Sequence, residues 1–402
     1  LADEKGQFCG KLMGDLGADV IKIEPPGGQN TRWVGPFLDD VPHRERSLSF
    51  WHYNTSKRGI TLNLETGAGA AFFQRLAASC DIILETMPAG YLPSLGLGYE
   101  QLSALNPRLI MCSLTPFGQT GPWRDYQTSD LLHMAAGGQM ASSGYDPEDV
   151  PDAPPIAPGG GNAWHIGGHY AYMGILAALY YRDMCGEGQY IDASIHEACA
   201  LTTEGAIAIY LASGTVVQRH TGRHADAGAS PRIQLRTKEG SWVNVTRSGS
   251  NFTPVRLTRL AEWMDQYGLA EDLHDEKYQD PKVLQENALH VTGVLSNFFA
   301  NVPQEEIYHG GQERDFPWGA VRSMDEIMDD GHLEDRGFYV DVEHPELGRT
   351  FAYPGAAAIY NGSPWRISRR PPLIGEHNQE ILCGELGLSL NELTVLAESG
   401  VI

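Results

Sequence analysis

Residues 155–198 read PIAPGGGNAWHIGGHYAYMGILAALYYRDMCGEGQYIDASIHEA. A glycine-rich loop runs into an apolar helix, the polar break at 185–188 ends it, Gln189–Ala193 alternates as a strand, and Ile195–Ser213 follows as a long apolar helix. The same alternation lies upstream. Phe8, Leu12 and Leu16 share one helical face that stops at Gly17, and Ala18–Glu24 reads as a strand. Asn54–Asn63 is a loop feeding a strand, Thr66–Ser79 an amphipathic helix and Cys80–Glu85 a buried strand. Tyr99–Leu105 is a short helix and Arg108–Leu114 another apolar strand. Strands alternating with helices at this period point to an α/β fold with a parallel, doubly wound sheet. Gly10, Gly14 and Gly17 lack the G-x-G-x-x-G spacing, and no strand precedes them. They read as packing glycines and not as a dinucleotide fingerprint.

Beyond residue 221 the texture changes. Gly222–Arg236 is polar and turn-rich, Ser241–Thr246 alternates as a half-exposed strand, and Phe252–Tyr267 and Val283–Val302 read as helices. Residues 222–330 therefore form a second, smaller domain of α+β character. Gly337–His344 and Arg349–Pro354 make a hairpin, and Leu390–Ser399 is a last helix with Ser389 or Asn391 as its N-cap.

The 402 residues carry a net charge of −22, which opposes nucleic-acid phosphates and excludes that class of partner. No apolar run near membrane-spanning length is free of polar breaks. No signal peptide is read, and the first residue is Leu1, so the sequence is expected to lack a few starting residues. Cys9, Cys80, Cys112, Cys185, Cys199 and Cys383 are scattered without a CxxC pair, as expected of reduced, buried thiols in a cytoplasmic protein.

Five segments carry a resemblance: LGADVIKIEPPGG from Leu16, NTSKRGITLNLETGAG from Asn54, LGLGYEQLSALNPRLIMCSLTPFGQTGPW from Leu95, GILAALYYRDMCGEGQYIDASIHEA from Gly174, and PPLIGEHNQEIL from Pro371. In this order and spacing the chain resembles the class III CoA-transferase (CaiB/BaiF) family over nearly its whole length. The resemblance implies a large Rossmann-like domain built from both chain ends, 1–221 and 331–402, around the small domain at 222–330. It also implies two subunits interlocked as linked rings, and CoA thioesters as substrates with no tightly bound cofactor or metal. In the family's transferases an Asp at the start of the long helix attacks the acyl-CoA, giving a mixed anhydride and then an enzyme thioester.

That Asp position falls on Trp164. Its neighbours Gly159, Gly160, Gly161, Asn162, Ala163 and His165 include no acid. The family's racemases pair a His with an Asp. Their His position falls near Ser129, before Asp130, and their Asp falls in the same acid-free loop. Where family transferases often carry Gln, Asn, Arg and Lys against CoA, this sequence has Glu4, Thr86, Ser94 and Gln127. Arg32, Lys57 and Arg58 match the family's basic positions and stand as the CoA-binding candidates. The glycine-rich loop that covers the thioester in transferases is replaced by Gly222–Arg232.

His165 and His169 lie one helical turn apart, with His133 as a third imidazole, but no motif completes a metal site. His165 or Asp130 stand as substitute bases or nucleophiles, with Glu4 as another acid. Cys185 and Cys199 read as buried structural thiols. The expectation is an Asp-lacking subunit of a heteromeric CoA-transferase, resembling the members that act on aromatic succinates such as benzylsuccinate with succinyl-CoA as donor. An Asp-bearing homologous chain would supply the chemistry, and CoA would bind this chain weakly at most. The alternatives are a CoA-thioester isomerase or racemase using another base, and a non-catalytic binding protein on the same fold.

Overall fold

Short parallel strands organise the N-terminal half. In the computed structural model, which describes all residues except 147–148, 204, 223–224, 226–231 and 246–252, strand β1 (Val20–Glu24) runs parallel to β2 (Lys57–Thr61), with Ile23 opposite Ile60. Strands β3 (Ile82–Glu85), β4 (Ile110–Thr115) and β5 (Tyr190–Ser194) form a second parallel ladder in the order β3-β4-β5. All six residues of β4 are buried. The apolar run 110–112 that opens it, with only Ser113 and Thr115 polar after it, is the pattern of a strand covered on both faces. The helix Gly67–Ser79 covers this region with Phe73, Leu76 and Ala77, and Thr66 caps it by accepting the Gly69 N–H at 3.0 Å. Among the described residues the two parallel ladders are not hydrogen-bonded to each other, so the single doubly wound sheet read from the sequence is split.

The outer edge of β2 is closed by side chains from the far end of the chain. The Gly59 N–H donates to His377 Nδ1 at 3.1 Å, and the His377 N–H donates back to the Gly59 carbonyl at 2.9 Å. The Thr61 N–H donates to Asn378 Oδ1 at 2.9 Å, and Asn378 Nδ2 donates to Thr61 Oγ1 at 2.8 Å. Gly59 is required here, because a Cβ on it would lie 2.8 Å from Pro372 Cβ. The early glycines act in packing as well. A Cβ on Gly14 would sit 3.2 Å from the Ser56 carbonyl, so the helix Gln7–Asp15 rides directly on the backbone before β2.

The described chain divides into two compact units. The larger takes Leu1–Gly138, Pro158–Thr203 and Gly331–Ile402. The smaller takes Gln139–Ala157 and Glu204–Asp330. The smaller unit therefore begins before residue 222 and draws on a second, earlier segment. Its core gathers Leu257, Leu260, Trp263, Met264, Phe298, Phe299 and Trp318. Beside them an antiparallel sheet of β6 (Gln234–Arg236), β7 (Trp242–Asn244) and β8 (Gly319–Ala320) runs in that order. In the larger unit the hairpin β9 (Tyr339–His344) and β10 (Arg349–Pro354) pairs Arg349 with His344. No described helix is long and apolar enough to cross a membrane.

Two helices read as continuous are broken. Ile195–Ser213 is Ile195–Leu201 followed by Ala206–Ser213. Thr202 Oγ1 donates to the Cys199 carbonyl at 2.9 Å and Thr203 Oγ1 to the Ala200 carbonyl at 3.1 Å, competing with the helical ladder. Val283–Val302 divides into Pro281–Glu286 and Ala288–Asn301, where Asn287 Nδ2 donates back to the Val283 carbonyl at 2.8 Å. The buried-thiol reading holds for Cys9, Cys112 and Cys199, but Cys185 is exposed because it is the last residue of the helix Asn162–Cys185.

Replacing Asn378 by Ala strips the acceptor from a buried backbone donor on β2. The expected cost is about 1–3 kcal/mol, read as a lowered midpoint in thermal or urea unfolding. Asn378→Asp keeps the acceptor and should lose less.

Candidate active site

Gly160 and Gly161, with φ of 89° and 71°, form the left-handed turn that starts the helix Asn162–Cys185. The first turn of that helix contains no acid. A carboxylate reaches it nonetheless, because Asp130 Oδ1 accepts the Ala163 N–H at 2.7 Å. Asp130 opens a different helix, Asp130–Ala136, which Ser129 caps by accepting the Leu132 N–H. The positive end of the long helix thus faces a negative charge supplied from another element.

His165 lies one residue beyond Trp164. Its Nε2 is 2.6 Å from the Tyr53 hydroxyl, and its ring stacks on Phe8 with centroids 4.4 Å apart at 29°. His169 Nδ1 donates to the His165 carbonyl at 2.9 Å. Burial and then the His169 charge push the His165 imidazole below its usual value, against the pull of Asp130. Burial and the Asp130 charge push the Tyr53 phenol up. Both shifts favour the protonated phenol and the neutral imidazole, and the imidazole tautomer decides which of the two donates across the bond.

Trp164 is half-buried, and its ring meets His133 edge to face at 5.6 Å and 76°. His133 is fully buried, and neither ring nitrogen has a hydrogen-bond partner among the described residues. Burial, then the charges of His196 and Lys5, push this imidazole down to about 4. The place expected to hold a nucleophilic acid is thus filled by an indole over a neutral imidazole. Asp130 and the Tyr53–His165 pair border it.

The model of CoA-transferase family III matches residues 5–378. The chain belongs to that family. It is 31% identical over 397 residues to the succinyl-CoA–L-malate CoA-transferase beta subunit of Chloroflexus aurantiacus, covering 98% of this chain and 94% of the relative. It is 32% identical over 406 residues to the succinyl-CoA:(R)-benzylsuccinate CoA-transferase subunit BbsE of Thauera aromatica, covering 100% of this chain and 96% of that one. A crystal structure of a CaiB/BaiF family protein from Brucella suis superposes with a TM-score of 0.76 at 28% identity, over 94% of each chain.

The basic side chains expected to meet CoA, Arg32, Lys57 and Arg58, make their hydrogen bonds inside this protein. Arg32 is fully buried. Its Nε and Nη2 each donate to Glu24 at 2.8 Å, Nη1 to Glu45 at 2.7 Å, and Nη2 also to the Pro372 carbonyl at 2.9 Å. Lys57 Nζ donates to the Gln7 and Tyr53 carbonyls at 3.0 and 2.8 Å and to Asn54 Oδ1 at 3.0 Å. Burial, then Lys22 and Lys11, push the Lys57 amine well below its usual value. Arg58 donates to Asp19 at 2.9 Å, to Glu380 at 2.9 Å, and to Glu385. Thr86 Oγ1 is tied to Asp3. Glu4 is exposed and within electrostatic reach of Asp130. Within Gly222–Arg232, residues 223–224 and 226–231 lie outside the described residues. Sequence reasoning missed Tyr53, whose contact with His165 spans 112 residues and has no local signal.

The low pKa of His133 makes a pH test. Its folded value, about 4, lies below that of an unfolded histidine, so the unfolded chain takes the proton first as pH falls. Stability should drop between about pH 6.5 and 4, by up to about 1.4 kcal/mol per pH unit. His133→Leu should flatten that part of the melting-temperature profile. His52, also pushed down to about 4 by burial and Lys11, should keep some of the slope.

Proposed function

We propose that this chain is a subunit of a family III CoA-transferase, and that a homologous Asp-bearing chain interlocked with it carries the chemistry. The reaction would move CoA from an acyl-CoA such as succinyl-CoA to a carboxylic acid, with an aromatic succinate such as benzylsuccinate as one candidate. The observation that carries this reading is Trp164 at the family Asp position, packed on His133 in a first turn without an acid. The internal engagement of Arg32, Lys57 and Arg58 adds to it, since CoA phosphates need charge-assisted donors that these side chains already give elsewhere. Two relatives are themselves named as subunits.

A partner chain is also supported by exposed apolar surface. In the larger unit Met173, Leu176, Tyr180 and Met184 make one exposed stripe along the long helix. In the smaller unit the helix Ala206–Ser213 has no buried residue, although it presents Ile207, Ile209, Tyr210 and Leu211. Faces of this kind mark protein interfaces.

A second reading rests on the 2.6 Å Tyr53–His165 bond beside Asp130. Such a cluster suits proton abstraction from the α-carbon of a thioester by the chain alone.

Incubated alone with succinyl-CoA and benzylsuccinate, the purified chain should form no new thioester. Combined with its Asp-bearing homologue it should form benzylsuccinyl-CoA, detected by chromatography. Transfer by the isolated chain would sink the subunit reading. Exchange of α-protons for deuterium by the isolated chain would favour the second. Trp164→Asp alone should stay inactive, at least about 100-fold below the complex, because one carboxylate does not free the CoA-facing donors.

A further inference from the structure

A separate cleft opens in the larger unit where β4 and β5 end. It has a volume of about 400 Å³ and is lined by Phe117, Trp123, Asp192, Ser194, His196 and Glu197, with the 118–122 turn closing one side. The sequence locates it: the PFGQTGPW turn follows β4, and SIHE follows β5 into the next helix.

Phe117 and Trp123 supply aromatic wall, with Tyr126 packed against both. Phe117 meets Trp123 at 6.1 Å and 82° and Tyr126 at 6.2 Å and 78°, while Trp123 and Tyr126 stack at 6.1 Å and 21°. Trp123 is 45% exposed and Tyr126 58%, so large aromatic surface is offered and not packed away. His196 sets its ring against Phe117 at 5.4 Å and Trp123 at 5.6 Å. Its Nδ1 is buried and has no hydrogen-bond partner among the described residues. Behind Phe117 lies His133, also unpartnered, at 5.1 Å.

The charge of the lining decides what fits. Asp192 and Glu197 are both exposed, and neither is in an ion pair among the described residues. Among the described residues Asp192 accepts the Gln119 N–H alone, at 3.0 and 3.1 Å to its two oxygens. No described lysine or arginine lines the cleft. A carboxylic acid of the kind family III enzymes act on would meet two negative charges and no cation. A neutral apolar group would desolvate both carboxylates without return. A cation meets the negative face of the indole and two carboxylates together. Three or more His, Cys, Asp or Glu disposed for a metal are not found among the described residues, so a bare metal ion lacks its ligand set.

We propose that this cleft binds a small organic ammonium ion over the Trp123 and Phe117 rings, with Asp192 and Glu197 as its counter-charges. The site is independent of whether this chain carries transferase chemistry, and binding needs neither CoA nor a partner.

The test uses the isolated full chain and isothermal titration calorimetry with three probes. Choline carries the cation, 3,3-dimethylbutan-1-ol is its uncharged isostere, and ammonium chloride carries charge without methyl groups. Choline should bind at least about tenfold more tightly than either of the others. Trp123→Leu and Glu197→Gln should each weaken choline by about fivefold or more. Both residues are exposed and the variants should fold, which circular dichroism checks. Absent choline binding, equal binding of the alcohol, equal binding of ammonium, or variants that bind choline like the parent would each overturn the proposal.

Discussion

The outer edge of β2 is the constraint on which the larger unit depends. An open strand edge exposes unpaired N–H and C=O groups. Here the N–H and C=O of Gly59 and the N–H of Thr61 are met by two consecutive residues, His377 and Asn378, more than 300 positions away. The buried Arg32 reinforces the same closure by binding Glu24 at the end of β1 and the Pro372 carbonyl just before that segment. Burying a guanidinium is costly unless its donors are met, and Arg32 meets them with two carboxylates and a carbonyl. The N-terminal strands and the C-terminal segment therefore form one cooperative structure.

Much of this fold was legible. The runs around Leu84 and Cys112 are largely apolar, those around Ile23 and Ile60 alternate, and all four lie in parallel strands. Element positions were harder where a side chain competes with the backbone. Thr202 and Asn287 each bond a carbonyl three or four residues back, and each ends a helix whose apolar pattern continues past it. Such breaks depend on rotamers, which a hydropathy pattern does not encode. The edge role of His377 and Asn378 was invisible for another reason, because backbone partners are chosen by tertiary placement and not by local spacing.

The candidate site divides the same way. The absence of an acid in GGGNAWH could be read directly, and so could the indole beside His165. The arrival of Asp130 at the Ala163 N–H could not, because it depends on how two helices meet. The basic residues are a different case. Arg32, Lys57 and Arg58 occur in a spacing that fits an anion, yet their donors are engaged by Glu24, Asn54 and Asp19. In a chain with 29 basic and 51 acidic residues, a buried cation is readily met by an internal carboxylate before any external phosphate. Charge type alone does not separate the two uses. The count of donors already engaged does.

The order in which the chain is threaded through its two units has a consequence for synthesis. The last piece of the smaller unit ends at Asp330, while the larger unit needs Gly331–Ile402. On the ribosome the later-starting unit is thus the first to have all its parts. Throughout that interval β2 waits with its edge open, since His377 and Asn378 emerge more than 300 residues after it. The nascent larger unit is then a half-built sheet with an exposed template for wrong pairing. Its apolar helix stripe adds to that exposure.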